Sequence, residues 1–300
     1  MWFDFAGCGA NTTTGSGSLD VVATTTQIGD FVREVGGTGV TVDQILAPNT
    51  DPHDYEPRPS DVLGAADASL VFANGDNLDS WIGKVVDDSG SDATVVDLGR
   101  SLPARLPGEA SGAEASRYDP HWWHDPRNAE AAVREIERRL AAAAPAERAM
   151  FARNAAAYLK RLRALDRGIA RCIDSVPASE RKLVTDHDAF GYFAHRYGID
   201  VVGAVIPSQT TEAQPSAGDL SDLAALITRE GVSAIFPESS LSPKLAQAIA
   251  SETGADAHHS LYGDTLGPEG SSGATYLQME EANANAMVRG FTGGSRGCAF

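Results

Sequence analysis

The chain reads as an α/β protein of two lobes, each a parallel sheet flanked by helices, joined by one long rigid linker helix. Three observations predict this Rossmann-like pairing. Short β-branched runs alternate with segments of helical spacing from residue 19, and the series starts again near 182. Continuous apolar strands alternating with helices imply a parallel sheet covered on both faces. Between the two series lies an Ala-, Arg- and Glu-rich stretch with apolar residues at three- and four-residue steps, as a long amphipathic helix requires. Three hundred residues also exceed what one small core serves, so two domains of roughly 100–150 residues each are expected.

Residues 1–18 form a Gly-, Thr- and Ser-rich tract that cannot bury a core and reads as a flexible tether. The N-terminal lobe, 19–126, draws its strands from LDVVATTT, VTVDQIL, ASLVFAN and ATVVDLG. Its helices come from QIGDFVREVGG, PSDVLGAAD and NLDSWIGKVVDD. The linker, 127–178, is introduced by Asp125 and Pro126, an N-cap followed by a first-turn proline. Pro145 should split it. Its second half, of roughly 30 residues at ~1.5 Å each, makes a rod of about 45 Å, long enough to traverse both lobes and to allow only small relative motion. The C-terminal lobe, 179–300, repeats the pattern: strands KLVTD, IDVVGAVI, VSAIFP and DAHHSLY, helices AFGYFAHRYG, SAGDLSDLAALITREG and SPKLAQAIASETG, and a last helix near 275–290.

A net charge of −17 argues against a nucleic-acid partner, because a phosphate-binding surface needs clustered Lys and Arg, and the only Arg-rich stretch also carries Glu. Cations are the more natural ligand. No run of about eighteen apolar residues exists to span a membrane. The segment FAGC resembles the lipobox that ends a bacterial lipoprotein signal, which makes Cys8 a candidate lipid site and residues 1–18 a signal remnant with its tether. Cys172 and Cys298 are then an even pair left for a disulfide, as an extracytoplasmic compartment permits.

Ligands of open parallel sheets collect outside the carboxyl ends of the strands. The loops there contribute His53 (APNTDPHDYEP), His121 just before the linker, His187 (DHDAFGYF) and Asp264 (GDTLG). Three imidazoles and one carboxylate, two from each lobe, have the number and type needed for a four-coordinate divalent transition metal in the interlobe cleft. Blander readings stand beside each: a solvated turn for His53, packing against Trp122 and Trp123 for His121, a helix-cap neighbour on Tyr192 for His187, an ordinary turn for Asp264. His124 competes with His121. An H-x-x-H pair aligns two imidazoles only on a helical turn, and both residues precede the helix, so one of them points elsewhere. His195 reads as a surface residue. His258 and His259, adjacent on an expected strand, should face opposite sides.

Five segments, NTDPHDYEPRPSD, DPHWWHDPRNA, TDHDAFGYFAHRYGI, PSAGDL and YGDTLGPEGSSGATYL, together resemble the metal-specific solute-binding proteins of bacterial ABC importers, the zinc and manganese class. The likeness runs from about 19 to 291, and the five motifs keep the family's order. It implies a periplasmic or lipid-anchored monomeric receptor that delivers a metal ion to a membrane permease. It also implies His53, His121, His187 and Asp264 as ligands. A histidine at 124, where the family usually has an apolar residue, is a departure. So is the lack of histidine in GRSLPARLPGEASGAEASRY, where zinc importers of this class often carry a His-rich loop.

With His187 as third ligand the site has three nitrogens and one oxygen, which suits Zn2+; Mn2+ is the alternative, favoured where a carboxylate takes that place. A rival class is a zinc hydrolase, since three histidines and an open position also build catalytic sites. No H-E-x-x-H is present, and Glu238 in FPESS is the one obvious carboxylate at a strand end to serve as base. A carrier, not an enzyme, is expected.

Overall fold

The computed structural model describes residues 18–112 and 115–300; Cys8 lies outside them. In the N-terminal lobe β1 (Leu19–Ala23), β2 (Val40–Gln44), β3 (Leu70–Ala73) and β4 (Thr94–Asp97) form one parallel sheet in the order β2-β1-β3-β4. β3 is apolar throughout, and β1 is so from Val21 to Ala23, because both faces are covered there; Asp20, near the start of β1, is exposed. Val21, Ala23, Leu70 and Phe72 enter the main core with α1 (Thr26–Gly36). Val22, Val71 and Ala73 turn the other way, as the period of two dictates, against α2 (Pro59–Ala65) and α3 (Ile82–Ser89). The Thr25 hydroxyl caps α1 by accepting the Ile28 N–H, and Gly37, at φ 53°, ends it in a conformation closed to most side chains.

The linker is a helical hairpin. Asp125 caps α4 (Pro126–Ala143) through the Arg127 N–H, and a single turn of 3-10 helix at Pro145–Glu147 separates it from α5 (Arg148–Asp174), as Pro145 predicted. The 27 residues of α5 make a rod of about 40 Å. It packs on α1 through Tyr158 and Phe31 and on the second lobe through the Arg196–Asp166 ion pair.

In the C-terminal lobe β5 (Lys182–His187) and β6 (Asp200–Ile206) pair in parallel, followed by α7 (Ala217–Glu230), α8 (Lys244–Thr253) and α9 (Tyr276–Phe291), with α6 (Gly191–Tyr197) between the strands. The expected strands VSAIFP and DAHHSLY appear only as isolated parallel bridges, Thr185–Phe236, Ala234–Asp256 and Glu238–Leu261. Two local causes interrupt the ladder. Pro237 has no N–H to give, and the Asp256 carboxylate takes the His258 N–H at 2.9 Å. His258 and His259 therefore do not alternate across a strand; both imidazoles reach Asp256. The bridges still place the segments in the order 200–206, 182–187, 234–238, 256–261, the same winding as the first lobe.

One apolar core runs through both lobes, from Val21 and Phe31 across Trp122, Trp123 and Leu162 to Phe190, Phe236 and Met287. Cys172 and Cys298 form a disulfide that ties the chain end to α5, with Cα atoms 5.3 Å apart.

Candidate metal centre

Each of the four cleft residues is set by its own local device. His53 and His121 are both third in an Asp-Pro-His triplet, and in both the aspartate takes the histidine's backbone N–H, Asp51 at 3.0 Å and Asp119 at 2.9 Å. Proline between them narrows the backbone choices, so each triplet presents its imidazole in one direction. His187 ends β5, where Glu238 Oε1 accepts both its backbone N–H and its Nδ1–H, at 3.1 and 2.7 Å. Asp264 follows Gly263, whose missing side chain matters: a Cβ there would lie 2.0 Å from Glu238 Oε2. The Asp264 turn is tied across the cleft, since the Leu266 N–H donates to the Thr26 hydroxyl and the Asn49 N–H to that of Thr265.

These devices converge. His121 Nε2 stands 3.4 Å from His53 Nε2 and 3.3 Å from His187 Nε2. Asp264 oxygens lie 3.3 Å from His121 and from His187 and 3.6 Å from His53. All four side chains are buried. Four donors held tetrahedrally at metal–ligand distances of about 2.0–2.1 Å are separated by about 3.3–3.4 Å, so the contacts of His121 with His53, His187 and Asp264 are of the length that a four-coordinate ion requires. Besides these three imidazoles neither Asp264 oxygen has a partner. A buried carboxylate so placed needs positive charge beside it, from an ion or from protons on the imidazoles.

The remaining nitrogens of His121 and His187 are already engaged. His121 Nδ1 bonds Asp119 at 2.8 Å and His187 Nδ1 bonds Glu238, the carboxylate–histidine arrangement that turns Nε2 toward a metal and raises its basicity. Burial opposes charge on His121, but Asp119 and Asp264 beside it outweigh burial and lift it to about 9. His187 is likewise opposed by burial and held well above the usual imidazole range by Glu238 and Asp264. For Asp264 burial favours the neutral acid, yet His187, His121 and His53 hold it well below the carboxylate range. His121 and His187 thus favour a proton where the cluster would otherwise hold a cation.

All four residues named from the sequence meet at one point, and among the described residues they are the one His/Cys/Asp/Glu group close enough to hold an ion. The supporting carboxylates Asp51 and Asp119 were missed, although the repeated Asp-Pro-His triplet signals them. Glu238, weighed above as a catalytic base, is occupied in orienting His187. His124 does point elsewhere, but it is no spectator: it is fully buried, with Nδ1 2.8 Å from Glu280 Oε1. His195 is exposed, as read.

Two like-wound α/β lobes on a shared helical spine, with a nitrogen-rich cluster closed between them, define a two-lobed binding protein able to enclose a cation. The chain belongs to the family described as zinc-uptake complex component A, periplasmic, which matches residues 21–290. The zinc-binding protein TroA of Treponema pallidum is 32% identical over 273 residues, 89% of this chain and 87% of that protein. The manganese-binding lipoprotein MntA of Halalkalibacterium halodurans is 31% identical over 291 residues, 96% and 94%. The solved structure of the Treponema pallidum periplasmic zinc-binding protein superposes with a TM-score of 0.84, covering 92% of this chain and 99% of that one.

Proposed function

We propose that the protein is an extracytoplasmic zinc receptor that delivers its ion to an ABC permease, with His53, His121, His187 and Asp264 as the ligands. The observation that carries this reading is the convergence of three imidazoles on the buried Asp264 carboxylate, which has no partner besides them. Three imidazoles favour zinc over manganese by donor type and by affinity order. Manganese is the second reading, because proteins named as manganese-binding lipoproteins match this chain at 31% identity. The ion is cargo, and no catalytic step belongs to the reading. Residues 19–126 and 179–300 act as the two jaws, 127–178 as their connector, and Cys8 as the lipid anchor of a monomeric receptor.

A zinc titration tests the assignment. The wild-type chain should take up one equivalent, and His121→Ala should weaken binding at least a hundredfold; a variant that titrates like the wild type would sink the ligand set. Metal content by mass spectrometry after purification from unsupplemented medium separates the two cargoes, with one zinc per chain expected and manganese in its place favouring the second reading.

A further inference from the structure

The buried His124–Glu280 pair joins the His121 turn to α9. His124 stacks on Phe190 with ring centroids 4.4 Å apart and sends Nδ1 to Glu280 at 2.8 Å; both side chains are fully buried. One helical turn back on α9, Tyr276 donates its hydroxyl to the Trp123 carbonyl at 2.6 Å. One turn forward, Asn283 accepts the Tyr262 N–H and donates to the Tyr262 carbonyl, at 2.8 and 2.9 Å, two residues before Asp264. Trp123 closes the figure by donating Nε1 to the Gly263 carbonyl at 3.1 Å. Residues 276, 280 and 283 share one face of α9. A single helix face therefore holds both the turn that carries His121 and the turn that carries Asp264.

We propose that the His124–Glu280 hydrogen bond is a specificity-determining pin: with Asn283 on the same face of α9 it fixes the separation of His121 and Asp264, so that the site favours a small, tetrahedrally bound cation over one that needs six donors. A preorganised four-donor cage suits zinc. A larger ion with more ligands needs the cage to spread and admit further oxygens, so discrimination depends on how little the cage yields. One feature marks the pair as more than packing. A buried ionisable pair is often replaceable by apolar side chains at little or no loss of stability, so stability alone does not call for it. Its geometry is directional: the His124 ring is held flat on Phe190 while Nδ1 meets Glu280 Oε1 on the α9 face that also carries Tyr276 and Asn283.

The inference rests on the zinc reading, and one set of titrations separates the two. Zinc and manganese dissociation constants are measured for wild type, Glu280→Gln and the double variant His124→Phe/Glu280→Met, with thermal melting of the metal-free protein as the control for folding. Glu280→Gln keeps a partner for Nδ1 and should hold the manganese-to-zinc ratio of dissociation constants within about threefold. The double variant should melt within a few degrees of wild type while that ratio falls about tenfold or more. If it melts like wild type and keeps the ratio, the pin is overturned and the zinc reading stands. A wild-type chain that binds no zinc overturns the reading itself. Should the double variant melt far lower, Glu280→Met alone, which leaves His124 without its partner, is read by the same ratio.

Discussion

His121 shows how one residue can be legible in its identity and illegible in its support. The strand-end placement and the Asp-Pro-His motif pointed to it from the sequence, whereas Glu238 and Glu280, which hold His187 and the His121 turn, are 51 and 156 residues from their partners and follow from the fold alone. Glu238→Ala should cost about 10–100-fold in zinc affinity, as loss of an orienting carboxylate typically does; an unchanged titration would show that His187 orients without it. Gly263→Ala should cost at least as much in affinity, because the added Cβ must displace the Glu238 carboxylate that steadies His187. Protons give a third expectation. With His121 lifted to about 9, the proton's contribution to the stability of the metal-free chain is complete below the unfolded value near 6.5 and is lost as pH rises through about 9. Zinc must expel that proton, so binding at pH 8 should release at least one proton per ion. Calorimetry in buffers of different ionisation enthalpy measures it, and no release at pH 8 contradicts the assigned cage.

Among the elements, the helices were the more readable. Each expected helix is present, with Asp125-Pro126 starting α4 and Pro145 breaking the linker as their chemistry demands. The third and fourth strands of the second lobe were only half legible, because Pro237 and the Asp256 side chain divert their hydrogen bonds, and an apolar run does not reveal such diversions. Asp30 tests how α1, α5 and α9 are joined. Its Oδ2 accepts the Tyr158 hydroxyl and the Tyr276 N–H that opens α9, both at 3.2 Å, and burial lifts its carboxyl to about 6 despite the Tyr276 bond. A carboxyl so raised favours folding below its unfolded value near 4 and withdraws that help as pH climbs through 6, a difference of about 3 kcal/mol. Asp30→Asn keeps a carbonyl oxygen for both donors and should melt higher than wild type at pH 8, with the gain vanishing near pH 4. Equal melting at both pH values would show that Asp30 stays ionised without penalty.

For the molecule as a whole, the sequence announced two lobes but not that they share one core. Periodicity reports which residues are buried, not whom they meet, so Trp122, Trp123 and Leu162 could be called interior without being seen to join the lobes. The Cys172–Cys298 bridge adds a covalent tie across 126 residues. Cys298→Ser should lower stability by about 2–5 kcal/mol and leave zinc affinity within about twofold, since neither cysteine belongs to the cleft cluster. Melting with and without the bridge checks the first, titration the second.

The shared core makes folding and cargo a single account of mass action. An ion that binds only the folded chain stabilises it by an amount that grows with the logarithm of its free concentration, about 4 kcal/mol at a thousand times the dissociation constant. Because the largest apolar cluster is continuous from Val21 to Met287, that gain should not be confined to the cleft but should protect both lobes together. Loss of zinc should therefore expose the two halves to proteases at the same rate, so that the cell's supply of the metal sets the lifetime of the receptor as well as its occupancy.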